Sequence, residues 1–285
     1  MAGGGATLEE IKLSGRSKAT IEFGRTLQVN PHPDPLPSRG EGTSGNLPNI
    51  PSPLRSGGKG QGEGPQKRKF LNNQDIQTAG KWLWECFRVP DYILGLPIGV
   101  HETDLFFHVL EEISGLPTPS KYEMERGRLI DSYVDAHKYV FQKRAIVYGE
   151  EDLVIGLASF LSEIGIIPVI CASGGQSGRL KHCLSAVVPG LISEISVCDD
   201  ADFMDMAEKA ESMSPDLVIG NSKGYFLARK LGIPLVRVGF PIHDRIGGQR
   251  LLHLGYRGAQ RLFDDITNTL LREKQDKSEV GYSYM

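Results

Sequence analysis

The chain has 285 residues, a formal net charge of −3, 40% hydrophobic residues and 24% charged residues. That composition is globular, and the length suffices for one large core or two small ones. It lacks the clustered Lys and Arg of a nucleic-acid footprint, and it lacks any run of about 18 apolar residues, so neither nucleic acid nor membrane is an expected partner.

In chain order, Met1 to Glu10 has no basic stretch followed by an apolar one. That argues against a secretory signal and leaves the cytoplasm as the expected location. Thr7 and Glu10 have capping-box spacing for a short helix through Ile11. Ala19-Thr-Ile-Glu-Phe23 alternates like a short strand. The segment from 31 to 66 changes character. Pro31-His-Pro-Asp-Pro-Leu-Pro-Ser-Arg-Gly-Glu-Gly42 is echoed by Pro51-Ser-Pro-Leu-Arg-Ser-Gly-Gly-Lys-Gly-Gln-Gly-Glu-Gly64. With almost nothing apolar to bury, it cannot offset its ordering entropy and is expected to be disordered, an inserted repeat like a translated intergenic element.

Order is expected again from about Asn72. Ile76 to Phe87 has helical apolar spacing, and Tyr92 to Gly99 reads as a strand and turn. Thr103 to Ser114 is a helix ended by Gly115 and Pro117, and Lys121 to Phe141 is a long charged helix. From Lys143 strands and helices alternate. Strands are expected at 144–148, 167–171, 194–198, 216–220 and 235–238. Helices are expected at 153–164, after Gly178 through Leu184, at 202–213, from 224 to 231 and at 257–274. This alternation predicts an α/β fold with a doubly wound, Rossmann-like parallel sheet and right-handed crossovers.

In such sheets ligands sit at the carboxyl ends of the strands. Four loops qualify. Gly149-Glu-Glu-Asp152 offers Asp152 as an N-cap, and its carboxylates would repel a phosphate. Ala172 to Gly178 is Gly-rich enough to wrap an anion, yet it is neither GxGxxG nor a Walker loop, so a flexible loop is the expectation. In Gly220-Asn-Ser-Lys-Gly224, Asn221 and Ser222 can cap the following helix and Lys223 could meet an anionic group, beside the plain reading of a structural turn. Gly239-Phe-Pro-Ile-His-Asp-Arg245 places His243, Asp244 and Arg245 together. No nucleophile elbow accompanies them, so an ion-paired loop or interface is expected and a hydrolytic triad is not. The four cysteines, Cys86, Cys171, Cys183 and Cys198, show no CxxC spacing. They are expected to be buried thiols, with no metal site within this chain. The residues by themselves stop at an α/β protein without a self-contained active site.

Several short motifs, taken in order, resemble one family. Glu125-Arg-Gly-Arg-Leu129 with Asp131 and His137, Gly156 to Phe160, Asp216-Leu-Val-Ile-Gly-Asn-Ser222, Arg237-Val-Gly-Phe-Pro-Ile-His-Asp-Arg245 and Leu254-Gly-Tyr-Arg-Gly-Ala259 are similar to successive signatures of nitrogenase component 1 subunits. Gly3-Gly-Gly-Ala-Thr-Leu-Glu-Glu-Ile11 resembles an upstream piece. The resemblance implies subunits of three Rossmann-like domains that pair with a homologous subunit and hold metal clusters at their junction.

On that resemblance, residues 1–28 are a piece of the middle domain, 29–68 the insert, 69–142 the rest of the middle domain and 143–285 the C-terminal domain. The first domain, which carries the cluster cysteines in the family, is expected to be missing. No cluster ligand transfers to Cys86, Cys171, Cys183 or Cys198. Two β-type roles fit: a NifN-like half of the scaffold for iron–molybdenum cofactor assembly, or the catalytic β subunit. Tyr148-Gly-Glu-Glu-Asp152, Cys171-Ala-Ser-Gly-Gly175 and His243 favour the scaffold branch. A tetrapyrrole reductase subunit is a more remote match, and a decayed gene fragment is the non-functional alternative. The implied partner is a homologous α-type (NifE-like) subunit in a heterotetramer. An iron–sulfur or iron–molybdenum cluster precursor is expected only in that complex, and no cofactor on this chain alone.

Overall fold

The computed structural model describes residues 10–11, 13–27 and 78–279. The expected insert and the Thr7–Glu10 capping box lie wholly or partly outside these residues. The described residues fall into two compact units, one holding those up to 22 and 78–92, the other 23–27 and 93–279.

In the first unit, helix α1 (Ala79–Phe87) begins where Thr78 Oγ1 accepts the Lys81 amide at 3.1 Å. It ends at Arg88, whose backbone is left-handed. Only Gly80 and Leu83 of this helix are buried. Trp82, Trp84, Phe87 and Cys86 are exposed, so the expectation of a buried Cys86 fails. The physical reason is local: the helix has a narrow buried face, and Cys86 lies off it. Strands β1 (Thr20–Phe23) and β2 (Asp91–Leu94) form a two-stranded sheet.

The second unit contains helices α2 (Gly99–Ser114) and α3 (Ser120–Val140), then five strands: β3 (Arg144–Gly149), β4 (Ile167–Ser173), β5 (Ser196–Cys198), β6 (Leu217–Gly220) and β7 (Leu235–Arg237). The strand order is β5-β4-β3-β6-β7, with every pairing parallel. Helices α4 (Glu151–Glu163), α5 (Leu180–Val187), α6 (Phe203–Met213) and α7 (Tyr225–Leu231) connect them, and α8 (Gly255–Asp276) closes the unit.

Alternation along β3 distributes its side chains to two cores. Ala145 and Val147 join one with Val154, Leu157 and Phe160 of α4 and Leu262, Phe263 and Ile266 of α8. Ile146 and Tyr148 join the other with Met206 and Ala210 of α6 and Leu227 and Ala228 of α7. A strand buried on both faces is apolar along its buried run, as β3 is from Ala145 to Tyr148 and β6 throughout. The expected doubly wound α/β fold is therefore present. Helices α2 and α3 pack with α8, so residues 93–140 belong with the C-terminal sheet.

Candidate functional site

Chain order reverses direction between β3 and β6, since β4 and β5 extend one way from β3 and β6 and β7 the other. The carboxyl ends of β3 and β6 therefore flank the crevice where an open α/β sheet receives ligands. Here the protein fills that crevice with Tyr148. Its hydroxyl donates to the Asn221 carbonyl and accepts the Gly224 amide at 3.0 Å. Its ring leaves no room for side chains at two positions. A Cβ on Gly220 would lie 2.5 Å from the ring, and one on Gly224 would lie 2.6 Å from Cζ. Burial pushes the Tyr148 phenol well above its usual range, so it stays a neutral donor.

Asn221, Ser222 and Lys223 follow β6. Asn221 Oδ1 accepts the Lys223 amide at 3.1 Å, capping the 3₁₀ turn Ser222–Gly224 as expected. Its Nδ2 donates to the Phe240 carbonyl at 3.0 Å. Ser222 is used differently from a cap. Its Oγ donates to the Pro241 carbonyl at 2.9 Å and accepts the His243 amide at 3.1 Å, while its own amide donates to the same Pro241 carbonyl. The loops after β6 and β7 are thereby joined into one rim, which includes the cis Phe240–Pro241 peptide. Lys223 and His243 present exposed side chains on this rim.

Asp244 is held mainly by a residue seven positions earlier. Arg237 Nε lies 2.8 and 2.9 Å from its two carboxylate oxygens, and Nη2 lies 2.5 Å from Oδ2. Arg245 adds a looser contact at 3.6 Å and donates to the Asp244 carbonyl at 2.6 Å. The hydrogen bonds from Arg237 hold the Asp244 carboxyl below its usual range. The expected ion-paired loop exists, with Arg237 as its principal cation. Sequence reasoning missed Arg237 because a strand residue facing a later loop is set by the sheet, not by spacing.

The other two loops are occupied by the chain itself. Asp152 does not cap α4: Glu150 is the N-cap and makes no side-chain capping bond. Asp152 instead accepts the amide and hydroxyl of Thr26, both at 3.0 Å, because residues 25–27 lie over this strand end. Arg179 donates to the Thr26 carbonyl, and Arg25 pairs with buried Glu102 at 2.5 Å. In the Gly-rich loop, Ser173 Oγ takes the Gly175 amide at 3.0 Å, and Glu151 takes the Ser177 amide at 3.1 Å and its hydroxyl. With those amides committed and a carboxylate facing them, this loop is a poor cradle for an anion.

Among the described residues no three or more His, Cys, Asp or Glu side chains gather as a metal site. Cys171, Cys183 and Cys198 are buried, and burial pushes the Cys171 and Cys183 thiols up. A cluster needs convergent thiolates. The donors described in this chain therefore do not fit an iron–sulfur cluster by themselves.

Beside the exposed Lys223 and His243, the site presents large apolar side chains outward. Phe226 is 79% exposed, Phe240 71%, and Ile246 fully, with Leu252 and Leu254 exposed nearby in sequence. Exposed apolar side chains grouped at one strand end mark a surface built for contact.

The chain is similar to known proteins in sequence and in fold. The family model for nitrogenase component 1 type oxidoreductases matches residues 68–271. The chain is 42% identical over 188 residues to the nitrogenase molybdenum-iron protein beta chain of Methanothermobacter marburgensis, covering 66% of this chain and 41% of that one. It is 38% identical over 202 residues to the corresponding beta chain of Clostridium pasteurianum, covering 70% and 44%. A solved structure titled nitrogenase Cp1 at pH 6.5 superposes with a TM-score of 0.70 at 35% identity, over 72% of this chain and 45% of that chain. The chain thus spans less than half the length of these relatives. By the extent of the family match and the likeness in fold, it belongs to the nitrogenase component 1 type oxidoreductase family.

Proposed function

We propose that this chain acts in nitrogen fixation, in the cytoplasm, as the β-type portion of a component 1 complex, and that it works only when paired with a homologous α-type subunit. The observation that carries this reading is the rim after β6 and β7. It is held rigid by Ser222, Asn221 and the Arg237–Asp244 pair, yet it offers Phe226, Phe240 and Ile246 to solvent. A preorganised rim with apolar tips suits docking better than turnover, because rigid apolar anchors lose little entropy on binding. Any cluster or cluster precursor is met in the complex, with ligands from outside the described residues. The arrangement is a heterotetramer of two α-type and two β-type chains.

Of the two β-type roles we favour the scaffold on which the iron–molybdenum cofactor is assembled, on the sequence of Tyr148 to Asp152, Cys171 to Gly175 and His243. The likeness to molybdenum-iron protein beta chains keeps the catalytic β subunit as the second reading.

The test is anaerobic co-expression of this tagged chain with the α-type scaffold subunit and, separately, with the catalytic α subunit, followed by assay of retained partner and iron. Scaffold partner and iron recovered together support the first reading. Retention of the catalytic partner alone supports the second. Recovery of this chain without either partner overturns both.

A further inference from the structure

The rim after β6 and β7 differs in charge from the rest of the chain. From Leu217 to Phe263 the sequence holds eight Lys and Arg residues and one acidic residue, Asp244. The whole chain has 32 Lys and Arg against 35 Asp and Glu. What marks the stretch is its scarcity of acids rather than a dense run of cations. Such a stretch cannot balance its own charge, and the fold decides where the cations face.

Three of them face outward on the rim. Lys223 is exposed in the turn Ser222–Gly224, next to the Ser222 side chain that ties this turn to Pro241 and His243. Arg245 is also exposed, and the nearest carboxylate, Asp244, is already held by Arg237 at 2.5–2.9 Å, which leaves Arg245 at 3.6 Å. Arg250 ends the turn Gly248–Arg250. Its guanidinium folds back over Gly247, where a Cβ would lie 2.9 Å from Nη2. This turn is seated against the rim, since a Cβ on Gly248 would lie 2.5 Å from Ile242 Cγ2. Lys223 and Arg250 make no ion pair among the described residues. The exposed apolar tips stand among these cations: Ile246 directly follows Arg245, and Phe226 lies three residues after Lys223.

We propose that the rim docks on an acidic face of its partner subunit, with Lys223, Arg245 and Arg250 opposite partner carboxylates. This rests on the reading of the rim as the docking surface and adds the chemistry of the opposing face. Unbalanced cations set around exposed rings complement a protein surface that carries carboxylates around apolar recesses. A nucleic acid duplex suits the rim less well, because a phosphate backbone gives Phe226, Phe240 and Ile246 nothing apolar to bury against. Rim charges of this kind act on encounter more than on the lifetime of the complex. Their reach shortens with salt, from about 10 Å at 0.1 M to about 3 Å at 1 M.

The experiment is anaerobic biolayer interferometry, with the α-type scaffold and catalytic subunits each immobilised and the full chain in solution. Raising NaCl from about 50 to about 500 mM should slow association by roughly tenfold or more and change dissociation by less than about threefold. Lys223→Glu/Arg250→Glu should slow association at low salt by a similar factor and lose most of the salt dependence. Neither side chain holds the rim together, and a circular-dichroism melt checks that the variant folds. The milder Lys223→Gln/Arg250→Gln should shift association in the same direction by less, and Lys181→Glu on α5 should bind as the unaltered chain does. Association indifferent to salt and to both rim variants overturns this inference and leaves the docking reading standing. Failure of the unaltered chain to bind either subunit overturns both. Capture of a DNA duplex as tightly as a subunit also overturns the inference, since the rim would then be a general polyanion site.

Discussion

Tyr148 shows how one side chain decides what a strand end can do. Its phenol stands where a ligand would enter between β3 and β6, and it bonds both sides of the Asn221–Gly224 turn. Tyr148→Phe keeps the packing but strands a buried carbonyl and amide, so a loss of about 1–3 kcal/mol is expected in urea unfolding. Gly224→Ala drives a methyl into the same ring and should cost about 1–3 kcal/mol by overpacking. Combining the two should cost less than their sum, because they act on one contact. A second residue-scale device is the Glu22–Asp91 pair of the first unit. Glu22 takes the Gly80 amide at 2.9 Å, and burial, then the neighbouring Glu22, raises the Asp91 pKa to about 6. A carboxyl with a raised folded-state pKa holds its proton better when folded. Its contribution to stability is thus full below the unfolded value, near 4, and is lost as pH rises through about 6. A carbon-13 titration of the Asp91 carboxyl should show that midpoint. Asp91→Asn should flatten the pH dependence of unfolding between those values; an unchanged profile would reject the assignment.

At the scale of elements, helix ends here are often satisfied by distant residues. Helix α2 has Ile98 at its N-cap, which offers no side-chain acceptor. The Glu163 carboxylate at the end of α4 supplies it, accepting the Val100 amide at 2.7 Å and the His101 amide at 2.8 Å, while the Tyr133 hydroxyl of α3 donates to the same group at 2.8 Å. One carboxylate thus ties three helices together and complements the positive end of α2. Glu163→Ala should cost about 1–2 kcal/mol, the usual worth of a lost cap, and Glu163→Gln should recover part of it. Equal losses for both variants would mean that the amide acceptor cannot substitute and that charge is what matters. Helix α6 is the contrasting case. Asp202 and Asp205, three positions apart, form a capping box within the helix's own first turn.

For the whole molecule, the largest consequence is what the second unit leaves uncovered. Its two cores are filled from both faces of the sheet, yet Phe226, Phe240 and Ile246 stay exposed at one end of it. Expressed alone, the chain should self-associate through these side chains. Phe226→Ser/Phe240→Ser should lower its light scattering with little change in melting temperature, since neither ring contributes to a core. The same variant should lose the α-type partner in the co-expression experiment. If it retains the partner fully, docking runs through another surface.

Much of this was readable in the residues. The strand–helix alternation from Lys143 onward needs only local periodicity, because a strand buried on both faces must be continuously apolar and an amphipathic helix must repeat near every fourth residue. The ion-paired character of the 239–245 loop was legible from its charges. What tertiary structure alone decided were the partners. Arg237 rather than Arg245 is the main cation for Asp244, Thr26 claims Asp152 across the fold, and Glu163 caps a helix that precedes it by some sixty residues. Local sequence sets which elements form, because hydrogen bonding and hydrophobic periodicity act over a few residues. Which side chains meet depends on strand order and crossover, and those are settled only when the two cores close together.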